Sequence, residues 1–341
     1  MNLFDVIASA QTFLGPVKVI SKKDIVFPYR EYNDATLKDI LKRIGWHEGE
    51  RIAFISTYDP TYTRTEALRD LFARNSVPVE YFFYSGATVR CIGDLFRLRR
   101  EFRCFVVGFR GHHILPFVRA TLGKEKRIIF DAFVSVFDTL CCDRQIVAPH
   151  STMGRFFHWY DRWLSDLSDV VLVDTQTHRR YFEKEFHCRN VFPLYVDCNR
   201  ALFSGCRTWE SDEVRKVLWY GNCLPLQGVE NILRWVKSLN GRRDIRFRFI
   251  GPVRERYGKH KELFQLQNAE FLSWVPYDAL PEEIRNVDLC IGGHFSDRAK
   301  ARRVIAGKTF QMLSCGARVL VADNEAHAEI LCSAASLHAV P

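Results

Sequence analysis

VLWYGNCLPLQGVENILRWVKSLNGRRDIRFRFIG, residues 217–251, reads as one complete strand–helix–strand unit. Val217–Gly221 is a short apolar run that ends in glycine. Val229, Ile232, Leu233 and Val236 then recur on one face of a helix predicted over Val229–Leu239, and Phe247–Gly251 is a second apolar run closed by glycine. Two short apolar strands joined through an amphipathic helix form the building block of a parallel sheet, because parallel neighbours need a crossover connection.

The same alternation extends in both directions. Downstream, strands are expected at Asp288–Gly292 and Arg318–Val321; upstream, at Ile52–Ser56, Phe105–Gly108, Ile128–Asp131, Val170–Asp174 and Phe192–Leu194. Between the two series, Asp197–Glu213 is polar and follows neither period, so it reads as a linker. The expected organisation is a first α/β domain over residues 51–200 and a second over 201–341, with residues 1–50 an extension packed on the first. In open parallel sheets ligands bind outside the carboxyl ends of the strands, so Asp131 and Asp174, at such ends, are candidates for function.

A chain of 341 residues, 47% hydrophobic and 26% charged, has enough apolar material for two cores and does not have the composition of a disordered protein. The net charge of +9 favours anionic partners. Eleven cysteines, with Cys141 and Cys142 adjacent, show no paired C-x-x-C spacing, which fits a reducing cytoplasm and offers no zinc site. Asp5 sits where a signal peptide would be basic, and no apolar run approaches a membrane span, so a cytoplasmic protein is expected.

Arg298, Lys300, Arg302, Arg303 and Lys308 crowd into a segment without an acid, directly before a short helix over Thr309–Ser314 that closes at Gly316. Cations feeding a helix N-terminus suit a diphosphate; a solvated basic face or a nucleic-acid contact is the alternative, although the chain has no helix-turn-helix, RNA-recognition or zinc-finger pattern. Thr63-Arg64-Thr65-Glu66 has the form of a capping box at the start of a helix. His112 and His113 follow Gly108-Phe109-Arg110-Gly111 and read either as residues lining the acceptor side of a cleft or as an ordinary loop pair; no third ligand at metal spacing accompanies them. The aromatic run Phe156–Trp163, with Arg155 and Arg162, reads as helix packing, with a membrane surface or nucleic acid as alternatives.

Three segments of the second half, VLWYGNCLPLQGVENIL (217–233), FLSWVPYDALPEEIRNVDLCIGGH (271–294) and KARRVIAGKTFQMLSCGARVLVADNEAHAEIL (300–331), resemble the nucleotide-sugar domain of the family 4 (group 1) glycosyltransferases. YDPTYTR (58–64), IIFDAFVSVFDT (128–139) and Val170–Thr175 resemble the acceptor domain of the same family. The resemblance implies the GT-B fold, two facing Rossmann-like domains with parallel sheets. It also implies transfer of a sugar from a nucleotide-diphosphate donor to a saccharide or lipid-linked acceptor, with retention of configuration and no bound metal or other cofactor. Cell-envelope polysaccharide or glycolipid synthesis is the expected setting, and the excess positive charge suits peripheral contact with an anionic membrane surface; an epimerase or phosphorylase of the same fold, or an inactive binding relative, is the alternative.

By the same resemblance, Lys300, Arg303 and Lys308 stabilise the leaving diphosphate, and Gly221 and Asn222 belong to the glycine loop beside the donor phosphates. Gln311 and Glu329 fall where the family contacts the ribose and its surroundings. Asp131 falls where relatives carry a donor-site histidine, and would orient a substrate or act as a base; the plain alternative is a helix cap. Tyr62, Arg64, His112 and His113 are the acceptor-side candidates. Two departures stand out: the family's paired glutamates fall at Arg303 and Gln311, and the lysine after its glycine loop falls at Gln227. Leu337–Pro341 ends where relatives continue into a further strand and helices, so the C-terminal end reads as shortened.

Overall fold

In the computed structural model, residues 1–85, 87–209, 211–260 and 264–331 are described. The expectation about the C-terminal end falls on residues outside these. The chain divides into two α/β units, one formed by residues 28–197 and the other by residues 1–27 together with 198–341.

The first strand, β1 (Val17–Ile20), follows helix α1 (Leu3–Leu14) and belongs to the second unit. The unit of residues 28–197 contains β2 (Ile52–Ser56), β3 (Val79–Phe83), β4 (Cys104–Val107), β5 (Arg127–Asp131), β6 (Val170–Val173) and β7 (Val191–Pro193). All neighbours are parallel, in the order β3-β2-β4-β5-β6-β7. Apolar side chains fill both faces of the inner strands, as expected for a sheet covered by helices on each side. On one face Ile55, Val107, Phe130 and Val173 pack beneath α4 (Thr88–Glu101), α5 (Leu115–Leu122), α6 (Thr152–Asp166) and α7 (Gln176–Phe186). On the other, Phe54, Val106 and Leu172 pack beneath α2 (Tyr29–Arg43) and α3 (Thr63–Arg74). The capping box expected at Thr63–Glu66 does not form: Tyr62 is the N-cap, and its side chain makes no capping hydrogen bond.

The second unit contains β8 (Lys216–Tyr220), β9 (Arg246–Ile250), β10 (Ala269–Leu272), β11 (Leu289–Gly293) and β12 (Val319–Ala322). They lie in the order β10-β9-β8-β11-β12, all parallel. In local count this is strand order 3-2-1-4-5, the arrangement of a nucleotide-binding Rossmann sheet, whose direction of progress reverses between β8 and β11. Helices α8 (Val229–Ser238) and α9 (Val253–Tyr257) cover one face with Trp219, Phe247 and Phe249. Helices α10 (Leu280–Arg285), α11 (Gly307–Ser314) and α12 (Glu325–Leu331) complete the series.

Residues 1–27 correct the sequence expectation. Rather than packing on the first domain, β1 pairs antiparallel with β12, Val17 opposite Ala322 and Ile20 opposite Val319. Val6, Ala10 and Leu14 of α1 are buried in the same apolar cluster as α8, and Trp235 Nε1 donates to Ser9 Oγ at 3.0 Å. The segment closes the exposed edge of β12, an edge that would otherwise be available for pairing with another chain. A chain lacking residues 1–20 is therefore expected to lose the cooperative melting of its C-terminal unit and to aggregate; an unchanged melting profile would contradict this placement.

Candidate functional site

The reversal point of the second unit's sheet lies between the carboxyl ends of β8 and β11. The residue after β8, Gly221, has φ 131°, a backbone conformation that side-chain-bearing residues rarely adopt. Further along the same loop Gly228 is left-handed at φ 66°, and a Cβ there would run into the Phe295 carbonyl. That close approach seats the glycine loop directly on the segment after β11. Asn231 Nδ2 holds the two together by donating to the Phe295 carbonyl at 3.0 Å.

Lys308, in the first turn of α11, reaches into this junction. Its Nζ donates to the Tyr220 carbonyl at 3.1 Å and lies 4.6 Å from the centre of the Trp219 ring. The side chain is only 8% exposed. Among the described residues no carboxylate forms an ion pair with it, and burial pushes its pKa down from 10.5 to about 7. The basic cluster is thus not a solvated face. Lys300 is buried as well, Arg298 and Arg303 are half-buried, and Arg302 alone of the five is exposed.

Three further polar atoms converge on the end of β11. His294 is buried, and its pKa lies well below the ordinary range because of burial and of the nearby Lys308, His327 and Lys300 charges. Its Nδ1 has no hydrogen-bond partner among the described residues, nor do Gln227 Oε1 and Thr309 Oγ1. Gln227 Oε1 lies 3.1 Å from where a Cβ of Gly293 would be, and Thr309 Oγ1 lies 2.8 Å from the same point at Gly292. Buried polar atoms left unsatisfied are rare and call for a ligand or water. Sequence reading passed over His294, although a histidine after two glycines at a strand end was the available signal.

Gln311 is not available as expected. Its Oε1 accepts from Tyr220 Oη at 2.8 Å and its Nε2 donates to Tyr277 Oη at 3.1 Å, so both ends of the amide already have protein partners. Glu329 is buried on α12, Asn222 is exposed on the glycine loop, and Gly221 lies within 3.9 Å of Lys308 by its would-be Cβ. Beside this junction, at the ends of β9 and β10, Gly251, Pro252, Arg254, Phe271 and Ser273 line a cavity of about 300 Å3.

The candidates of the first unit gather at the carboxyl ends of β2, β4, β5 and β6. Asp131 is wholly buried and Arg64 is 1% exposed. Arg64 Nη2 and Nε donate to Asp131 Oδ1 at 2.9 and 3.1 Å, while Nη1 donates to the Leu194 carbonyl at 2.6 Å. Burial pushes the Asp131 carboxyl up, opposed by the charge and hydrogen bonds of Arg64. The two residues expected to serve substrates separately are joined to each other, and the pair ties the ends of β5 and β7 to α3. Asp131 is neither an open base nor a helix cap.

Tyr62 stacks on Phe109 with ring centres 4.4 Å apart, and Tyr58 meets both edge-on at 5.2 Å. His112 is pinned, its Nε2 2.8 Å from the Val134 carbonyl and its ring edge-on to Phe130, whereas His113 is exposed near Thr88. Sequence reading also missed His178, whose Nδ1 lies 2.6 Å from Asp174 Oδ1 in a fully buried i,i+4 pair. Among the described residues no three His, Cys, Asp or Glu side chains come together as a metal site.

Comparison with known proteins agrees with this architecture. Residues 227–336 match the family described as Glycosyl transferase-like. The sucrose-phosphate synthase of Thermosynechococcus elongatus superposes with a TM-score of 0.54 at 12% identity, over 79% of this chain and 80% of that one. A putative UDP-N-acetylglucosamine 2-epimerase from Listeria monocytogenes gives 0.46 at 12% identity, over 82% and 81%. A mutant of S. aureus TarM in complex with Fondaparinux, alpha-GlcNAc-glycerol and UDP gives 0.45 at 12% identity; the match covers 60% of this chain but only 39% of that one. No curated protein sequence matches the chain.

Two outcomes follow from the buried charges. Arg64→Met, which leaves Asp131 buried and unpaired, is expected to destabilise by roughly 3–5 kcal/mol in denaturant unfolding, and Arg64→Met with Asp131→Leu to recover most of that loss. Between pH 7 and 10.5 the unfolded chain holds a proton that folded Lys308 has released, so this group's contribution to stability rises with pH across that window. Lys308→Met is therefore expected to raise the ligand-free melting temperature, more at pH 6 than at pH 9.

Proposed function

From a GT-B fold that carries a glycosyl transferase-like domain, we propose that this chain binds a nucleoside-diphosphate sugar at the β8–β11 junction and transfers the sugar, with retention, to a saccharide or lipid-linked acceptor. The observation that carries the reading is Lys308, a buried ammonium that pairs with no carboxylate among the described residues and lies beside polar atoms of Gln227, His294 and Thr309 that have no partner among them. An anion in that place restores the charge balance that the fold alone leaves open. Lys300 and Arg303 extend the positive potential, and Gly221 allows backbone to approach the phosphates. The cavity at Gly251–Ser273 has room for the nucleoside. Arg303 and Gln311, in place of the family's glutamates, make the site more cationic, with Gln311 holding Tyr220 and Tyr277 rather than touching the ribose.

As the bond from the anomeric carbon to the diphosphate oxygen breaks, negative charge develops on that oxygen, and fixed cations in a dry site stabilise it. The acceptor oxygen forms the new bond to the anomeric carbon, and its proton passes to the departing phosphate oxygen. This course needs no side-chain base, in keeping with Asp131 being committed to Arg64. The stacked rings of Tyr62 and Phe109, with Tyr58, offer apolar faces to the C–H groups of a sugar acceptor. We read the product as an envelope polysaccharide or glycolipid, since phosphorylated, lipid-linked acceptors suit a chain of net charge +9.

Melting the protein against UDP-, GDP-, ADP- and CMP-sugars tests the reading. One nucleotide is expected to stabilise by about 2.7 kcal/mol at one hundred times its dissociation constant, and Lys308→Ala to abolish the shift. No shift with any donor would overturn the proposal. A new sugar isomer released from the stabilising donor without acceptor would assign an epimerase instead.

A further inference from the structure

Helix α6 is not explained by packing alone. Phe157, Tyr160 and Trp163 lie partly buried against the core of the first unit, as the sequence leads one to expect. Phe156 and Trp159, however, are 47% and 52% exposed, and Met153 is exposed beside them. Phe156 stacks on Tyr160 and Trp159 on Trp163, so the outer rings stand on an inner aromatic layer that holds them in place.

The exposed apolar residues continue onto the neighbouring helices of the same face. Val89 and Phe96 of α4 and Phe117 of α5 are solvent-exposed, as is Ile146 in the segment leading to α6. Helices α4, α5 and α6 cover one side of the sheet, and Val89, Phe117 and Met153 fall in the first turns of their helices, with Phe156 just beyond the first turn of α6. Those turns follow the carboxyl ends of β3, β4 and β5, so the apolar residues lie toward the edge that carries Tyr62 and the Arg64–Asp131 pair.

Arginines surround them. Arg90, Arg97, Arg99 and Arg100 of α4 and Arg155 and Arg162 of α6 are exposed, against two exposed carboxylates on these three helices, Glu101 and Asp166. Glu101 is taken by Arg97; the other five arginines have no ion pair among the described residues. Large aromatic side chains spread over three helices are interleaved with guanidinium groups that have no ion pair among the described residues. They match a flat, deformable, anionic layer, where Trp and Phe settle at the headgroup level and arginines meet lipid phosphates.

We propose that the α4–α5–α6 face of the first unit docks on an anionic lipid bilayer through Met153, Phe156, Trp159 and the surrounding arginines. The contact brings the carboxyl edge of that unit's sheet to the membrane. It does not rest on the glycosyltransferase reading.

Sedimentation of the full chain with vesicles of phosphatidylcholine alone, or of phosphatidylcholine with about a third phosphatidylglycerol, tests it. The chain is expected to sediment with the anionic vesicles only, with a blue shift of tryptophan emission that Trp159→Ala diminishes. Phe156→Ala with Trp159→Ala, and separately Arg155→Gln with Arg162→Gln, are each expected to lower partitioning by about ten-fold or more, since each basic residue near an anionic surface and each buried ring contributes measurably. Trp274→Ala, an exposed tryptophan of the other unit, is expected to change nothing. Recovery of the wild-type chain in the supernatant with both vesicles, or equal binding by wild type and both double variants, would overturn the proposal. A donor-induced melting shift in the same preparation reports on the nucleotide-sugar site separately, so the two readings stand or fall independently.

Discussion

The ammonium of Lys308 is the constraint around which the second unit is arranged. Removing a lysine charge from water without an acid to face it costs several kcal/mol, and proteins rarely retain that cost without a use for it. Here the side chain is held by the Tyr220 carbonyl and the face of Trp219, both at the end of β8. Neither partner neutralises it. Burial lowers the Lys308 pKa to about 7, and the proposed diphosphate would supply the negative charge that this environment lacks among the described residues.

The fold explains why this lysine can sit there. Strand order reverses between β8 and β11, so the helices after these strands diverge and leave a crevice at their carboxyl ends. Glycines bring the two loops into backbone contact, and α11 begins at the crevice with Lys308 in its first turn. Tyr220 and Gln311 then lock β8 to α11 by a hydrogen bond between buried side chains. The first unit uses a closed pair instead. Arg64 and Asp131 satisfy one another, which ties strand ends together and commits both of these charges to each other.

Much of this architecture was legible from local pattern. The strand runs at Ile52–Ser56, Ile128–Asp131 and Val217–Gly221 and the helix at Val229–Leu239 recur in the structure within a residue or so, because apolar periodicity and terminal glycines are local signals. β1 was not legible: Val-Lys-Val-Ile is short, and its partner β12 lies about 300 residues away, a distance that no local pattern records. In the basic cluster, composition pointed to an anion site but could not separate buried Lys300 and Lys308 from exposed Arg302. The commitments of Gln311 to Tyr220 and Tyr277, and of Asp131 to Arg64, join segments far apart in sequence. Each looked like a functional residue because its partner was out of view. On α6 the packing expected from the sequence holds for Phe157, Tyr160 and Trp163, but two of its five aromatic residues, Phe156 and Trp159, face solvent.

The central claim is that a buried, uncompensated Lys308 receives the diphosphate of a nucleotide sugar. A nucleotide-sugar diphosphate carries no group that titrates near neutrality, so a proton taken up on binding comes to the protein. Calorimetric titration of the stabilising nucleotide sugar at pH 8, in two buffers of different ionisation enthalpy, measures that proton directly. With burial holding the Lys308 pKa at about 7 and a facing anion restoring it toward its ordinary range, uptake close to one proton per site is expected, and none in Lys308→Ala. Tight binding by the wild-type chain with no proton uptake would contradict the account.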